Sequence, residues 1–203
     1  MSSASFPASP RWRRLLSGAL VLLLFGACTK DRRAQPPAGE APAVAAAPAD
    51  TIAPFQGTLA ATRRFRPASP TAQLPQLRSV RATADSGYDR VVFEFADSVL
   101  PGYLIEYPEG PIRRCGSGDE VLLAGPGRLL VRLEPAQAHD ERGNPTVTNR
   151  EWAPRLPVVQ EMKVVCDFEG QVEWAIGLAA RRHYRVIEVP PSGHIVVDVR
   201  HRD

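Results

Sequence analysis

The chain has no long hydrophobic run, and its longest, Leu15 to Ala27, is thirteen residues. That is too short to cross roughly 30 Å of hydrocarbon as a helix, so a spanning segment is excluded there. It also has no surplus of one charge. The formal net charge is +3, but Arg11, Arg13 and Arg14 are the only charged side chains before Cys28. Without them, 25 Lys and Arg fall to 22, against 22 Asp and Glu. Nucleic acid is therefore not an expected partner, because the basic footprint disappears. Catalytic signatures are missing too. There is no His-Glu-x-x-His and no Gly-x-Ser-x-Gly, and Ser117 between Gly116 and Gly118 reads as a loop rather than a nucleophile elbow. Zinc hydrolysis needs several convergent ligands plus a base, while His183, His194 and His201 stand singly. No enzyme, no metal and no cofactor is expected.

What is present begins at the N-terminus. Arg11-Trp12-Arg13-Arg14, the apolar run and then Gly26-Ala27-Cys28 have the layout of a signal peptide, residues 1–27. The last residues resemble the lipobox of bacterial lipoproteins, with Phe25 where leucine is usual. The resemblance implies that Cys28 is acylated and becomes the mature N-terminus. One acyl chain holds a protein only marginally, at about 0.8 kcal/mol per buried methylene; the diacyl form makes attachment lasting. The expected location is the cell envelope, membrane-anchored and facing the periplasm or the cell exterior.

Residues 28–75 read as a tether. Between Lys30 and Pro75 lie eight of the 20 prolines and thirteen alanines, with almost no periodic apolar pattern. Such a segment buries too little to offset its ordering entropy, and disorder with polyproline character is expected. Its basic cluster, Arg63-Arg64-Phe65-Arg66, reads as solvated chain, with lipid head groups or an anionic wall polymer as the alternative contact.

From residue 76 to 203 the pattern changes to short apolar/polar alternations. Val91, Phe93 and Phe95 form one; Tyr103, Ile105 and Tyr107 another; Leu129, Val131 and Leu133 a third. Val158–Phe168, Val172–Leu178, Tyr184–Val189 and Ile195–Val199 follow, separated by turns such as Glu169-Gly170. The expectation is an all-β, antiparallel β-sandwich of about eight or nine strands, with a helical turn or two allowed in Glu134–Asp140.

Six stretches in this order carry a family likeness: Tyr88–Phe95, Pro101–Tyr107, Gly116–Gly118, Ala138–Asp140, Asp167–Gly170 and Ile195–Val199. Together they resemble the AMIN-like domain of bacterial lipoproteins and exported proteins. The resemblance implies a sandwich related to the AMIN domain, which localises amidases and secretins to the envelope, partly through peptidoglycan.

Two cysteines remain after Cys28. In an oxidising compartment Cys115 and Cys166 are expected to form a disulfide, the alternative being two buried thiols. His139, Asp140 and Asn144, in the polar loop 138–146, together with Trp152, form the candidate ligand-contact region. Adjacent side chains in extended chain point oppositely, so His139 and Asp140 would not share a metal, and Asp140 suits an Asx turn. Trp152 offers either an aromatic platform or packing beneath a loop. The expected function is a non-catalytic, lipid-anchored module that binds peptidoglycan or another wall polymer. The alternatives are an adaptor docking on an envelope protein through a sheet edge and a small-molecule carrier.

Overall fold

A computed structural model describes residues 55–68 and 73–203. The signal peptide, Cys28 and the tether as far as residue 54 lie outside the described residues. Two antiparallel sheets face each other. The larger contains β1 (Thr62–Arg64), β4 (Gly102–Glu106), β5 (Gly127–Glu134), β8 (Gln171–Leu178), β7 (Val159–Phe168) and β6 (Glu151–Trp152), in that spatial order. The smaller contains β2 (Leu77–Asp85), β3 (Tyr88–Phe95), β10 (His194–Arg200) and β9 (Tyr184–Val189). The all-β expectation holds, with ten strands rather than eight or nine among the described residues.

Alternation makes the core. Val91 and Phe93 on β3 and Ile195, Val197 and Val199 on β10 are fully buried against Leu129, Val131 and Leu133 on β5 and Trp174 and Ile176 on β8. Each such side chain contributes roughly 1.5–3 kcal/mol by leaving water. Phe93 meets Trp174 edge-on across the two sheets, with ring centroids 6.4 Å apart. The hairpin expected at Glu169-Gly170 is a two-residue turn. Both residues have positive φ, 50° and 78°, as a type I′ turn requires, and Phe168 pairs with Gln171 across it.

Three strands were not legible as alternations. The nine residues of β2 are mostly exposed or half-exposed, so polar residues interrupt its pattern. β6 has two residues and leads into Pro154. β1 has three, and it lies inside the stretch assigned to the tether. There the boundary is corrected: residues 55–68 belong to the folded unit. Thr62, Arg63 and Arg64 pair with Ile105, Leu104 and Tyr103. Thr58 bridges to Tyr184, and the buried Tyr184 hydroxyl donates to the carbonyl oxygens of Ala60 (2.8 Å) and Ile105 (2.6 Å). Backbone hydrogen bonds recruit this segment, and Phe55 at its start packs on Tyr88, with ring centroids 5.9 Å apart. No helix forms in 134–140. That segment runs extended, with Gln137 donating to Pro75 and accepting from Leu77.

A second, smaller core lies on the outer face of the larger sheet. Residues 107–126 fold back over it, burying Ile112 and Val121 against Leu130, Val165 and Ala175, with Leu123 packed alongside. The disulfide Cys115–Cys166, with Cα atoms 5.2 Å apart, fastens this flap to β7. The Cys115 amide also donates to the Val165 carbonyl (3.1 Å).

Candidate functional site

β7 is flanked by β6 for only two residue pairs, Glu151–Lys163 and Trp152–Met162. Past them, its last residues form the floor of an open groove of about 700 Å³ between the flap and loop 138–146. Arg114, Ser117, His139, Arg150 and Phe168 are among the side chains facing it.

Asp167 holds this groove in shape. Only 9% of its side chain is exposed. Its Oδ1 accepts from the Ala138 amide and from His139 Nδ1, both at 2.9 Å, and its Oδ2 accepts from both terminal nitrogens of Arg150 at 3.1 Å. One buried carboxylate thus orients an imidazole and a guanidinium, and the charge-assisted bonds are directional. Arg114 is held more loosely: it lies 3.8 Å from Glu151 and donates to the Val164 carbonyl at 3.4 Å. Glu151 is engaged more closely by Lys163 (2.9 Å), and that carboxylate contact raises the lysine pKa. Arg114 therefore keeps donors for a ligand.

The pairing of Asp167 with His139 has the form of an oriented base. The hydroxyl across the groove does not complete it: Ser117 donates to Asp119 at 2.6 Å. No three His, Cys, Asp or Glu side chains converge as metal ligands among the described residues.

The four residues singled out from sequence are divided by the fold. His139 faces the groove. Asp140 and Asn144 do not line it; they build the loop behind it. Asp140 Oδ1 accepts from the amides of Arg142 (2.9 Å) and Asn144 (2.8 Å), and Oδ2 from the Asn144 side-chain amide (3.0 Å). These bonds, that from the Asn144 side chain first, hold the Asp140 carboxyl below its usual range. The Asx-turn expectation describes its position. Trp152 lies outside the groove and packs edge-on against Trp174, centroids 5.6 Å apart, which matches packing rather than a platform. Arg114, Arg150, Asp167 and Phe168 were not singled out as ligand contacts. They are distant in sequence, and only the flap and the β7–β8 hairpin bring them together.

The charges on the outward strand faces are mostly compensated. Arg90 and Arg185 both clasp Asp198, whose side chain is fully buried. Arg132 pairs with Glu173 at 2.5 Å and Arg81 with Glu94 at 2.8 Å. A second cavity, about 450 Å³, lies on the outer face at the other side of the larger sheet, lined by Arg63, Phe65, Leu104, Arg132, Glu134 and Gly170 among others.

A family model for the AMIN-like domain matches residues 75–201, more than half of the chain. The chain belongs to the AMIN-like domain family. No curated protein and no solved structure matches it. AMIN-like domains occur in cell-envelope proteins, and the membership points to a cell-wall-related binding module. The matched residues include every lining group of the β7 groove. They stop short of β1 and the rest of residues 55–68, which the AMIN-like domain of this chain nevertheless incorporates.

Proposed function

We propose that this AMIN-like domain is a non-catalytic, lipid-tethered envelope module that holds a wall polymer in the β7 groove. The observation that carries the reading is the groove itself: an open cleft, fastened by a disulfide and by the Asp167 hub, that presents guanidinium and imidazole donors beside an exposed phenyl ring. Hydroxyl, amide and carboxylate groups of peptidoglycan match those donors, and the ring offers an apolar face. Pre-organised donors lose little entropy on binding.

The test is retention by purified sacculi of the unlipidated chain from Thr29 to Asp203. The expected result is weak retention that declines with salt, since Arg114 is screened within about 10 Å at 0.1 M, and no release of soluble fragments. Arg114→Ala should weaken retention by about threefold or more, the loss of a charge-assisted hydrogen bond. Retention no better than that of an unrelated β-sandwich overturns the reading, and release of muropeptides overturns its non-catalytic part.

A second reading, docking of an extended segment from an envelope protein, is favoured by β2. It is a nine-residue edge strand without proline, its last three residues exposed. In that case sacculi retain the chain only when the partner protein is present.

A further inference from the structure

Two carboxylates line the β7 groove, and both are offset. Asp167 is paired with Arg150 and His139. Glu151 is met at 2.9 Å by Lys163, which lies outside the lining and also reaches Glu161 at 3.1 Å. Arg114 is the lining guanidinium left over. At 3.8 Å from Glu151 it stands beyond hydrogen-bond length, and 46% of its side chain is exposed. The flap fixes its position. Its amide donates to the Asp119 carbonyl and its carbonyl accepts from the Gly118 amide, both at 2.9 Å, and the next residue is the disulfide-bonded Cys115.

His139 supplies a complementary group from the other wall. A carboxylate oxygen only accepts, so the bond to Asp167 puts the proton on Nδ1. Nε2 of the neutral ring is then an acceptor, and it has no protein partner among the described residues. Apolar surface adjoins both groups, in Pro145 and the exposed ring of Phe168. Each wall also carries a glycine, Gly116 on the flap and Gly143 on the loop. A Cβ at either would meet no atom within 4 Å. The positive φ of Gly143, 82°, belongs to its turn, whereas Gly116 is not in that region. Neither packing nor backbone conformation demands glycine at Gly116, and its bare backbone leaves the mouth of the groove open.

We infer that the groove takes the end of a short peptide that carries a free carboxylate. The carboxylate lies on Arg114, a backbone amide of the peptide donates to His139 Nε2, and a small side chain rests against Phe168. The inference rests on the wall-polymer reading above and names the part of the polymer that is held, the end of a stem peptide rather than the glycan. A neutral sugar leaves the charge of Arg114 unused. A polymer with a phosphate at every unit needs a row of cations, whereas one lining guanidinium without a close carboxylate suits a single terminal charge.

The experiment uses the unlipidated chain from Thr29 to Asp203 and an acetylated stem tripeptide ending in two D-alanines. The tripeptide is supplied as the free acid and as the C-terminal amide. The free acid should bind about tenfold tighter, as one charge-assisted hydrogen bond provides. Arg114→Ala should erase that difference and leave the affinity of the amide unchanged. Gly116→Leu should weaken both forms about tenfold, with unchanged thermal unfolding because its Cβ enters open space. Equal binding of acid and amide, or an equal loss of both in Arg114→Ala, overturns the inference. An all-L tripeptide bound as tightly as the D form assigns the groove to a protein terminus and overturns it too. If sacculi retain the chain, and glycan freed of peptide or a phosphate-bearing polymer competes where the tripeptide does not, the peptide end is wrong while the wall-polymer reading stands. No retention on sacculi together with no tripeptide binding removes both readings.

Discussion

The two covering segments of this domain are held by different means. The flap, residues 107–126, lies on the outer face of the larger sheet over a small core of its own, and a covalent bond joins it to β7. The leading segment, residues 55–68, lies against the β4 and β9 side of the sandwich and has no covalent fastening. It is held by three residue pairs with β4, by the Tyr184 hydroxyl, and by Arg64 on Glu188. The flap buries few apolar side chains for its length, and a segment in that position gains most from a reduced unfolded-state entropy. The leading segment adds hydrogen bonds to a sheet edge that would otherwise remain open, so it gains from the pairing itself.

The comparison can be broken most sharply at the disulfide. Replacing Cys115 and Cys166 together by serine opens a closed loop with a sequence separation of 51, and the expected loss is roughly 4 kcal/mol by the chain-entropy model. Denaturant titration of the two forms measures it. A loss below about 1 kcal/mol would mean that the small core alone seats the flap, and the two segments would then be alike.

Tyr184→Phe tests the leading segment. The hydroxyl is buried and donates to two carbonyl oxygens, so its removal should cost about 1–3 kcal/mol. Proteolysis within residues 55–68 should become faster in the variant, while the flap stays protected. Equal protection of both segments would show that β1 pairing suffices without the tyrosine.

The smallest effect concerns pH. Tyr103, opposite Arg64 on β1, has its pKa pushed up to about 12, first by burial and then by its hydrogen bond to Glu188. A folded-state pKa raised above the unfolded value of 10 gives stability that is complete below pH 10 and is lost as pH rises towards 12. Tyr103→Phe should therefore flatten the stability profile in that window and leave it unchanged at pH 7, apart from the lost hydrogen bond. A wild-type profile already flat from pH 10 to 12 would contradict the shift.

Much of the fold was legible because burial on one face writes a period of two into the sequence. Val91, Phe93 and Phe95, or Leu129, Val131 and Leu133, announce both a strand and the side it hides. Where a strand is short or lies at an edge, that pressure vanishes. β1 could not be read from Thr62-Arg63-Arg64, since its place depends on hydrogen-bond partners forty residues away. The candidate site was legible in part. His139 and the turn role of Asp140 follow from local chemistry. Arg150 and Asp167 meet only because β7 returns past the loop that carries His139. Trp152 could not be assigned between platform and core until Trp174 was seen beside it.

The sequence by itself determined the all-β class, the tight turn at Glu169-Gly170 and the pairing chemistry of the loop at Asp140, because these depend on neighbours within a few residues. Its family likeness named the domain for the same reason, through ordered local stretches. The tertiary structure alone decided where the folded unit begins, that the flap covers Leu130, Val165 and Ala175 on the outer face, and that one carboxylate, Asp167, orients both His139 and Arg150. Those outcomes depend on contacts between segments far apart in the chain, and no local preference of the residues encodes which distant partner they meet.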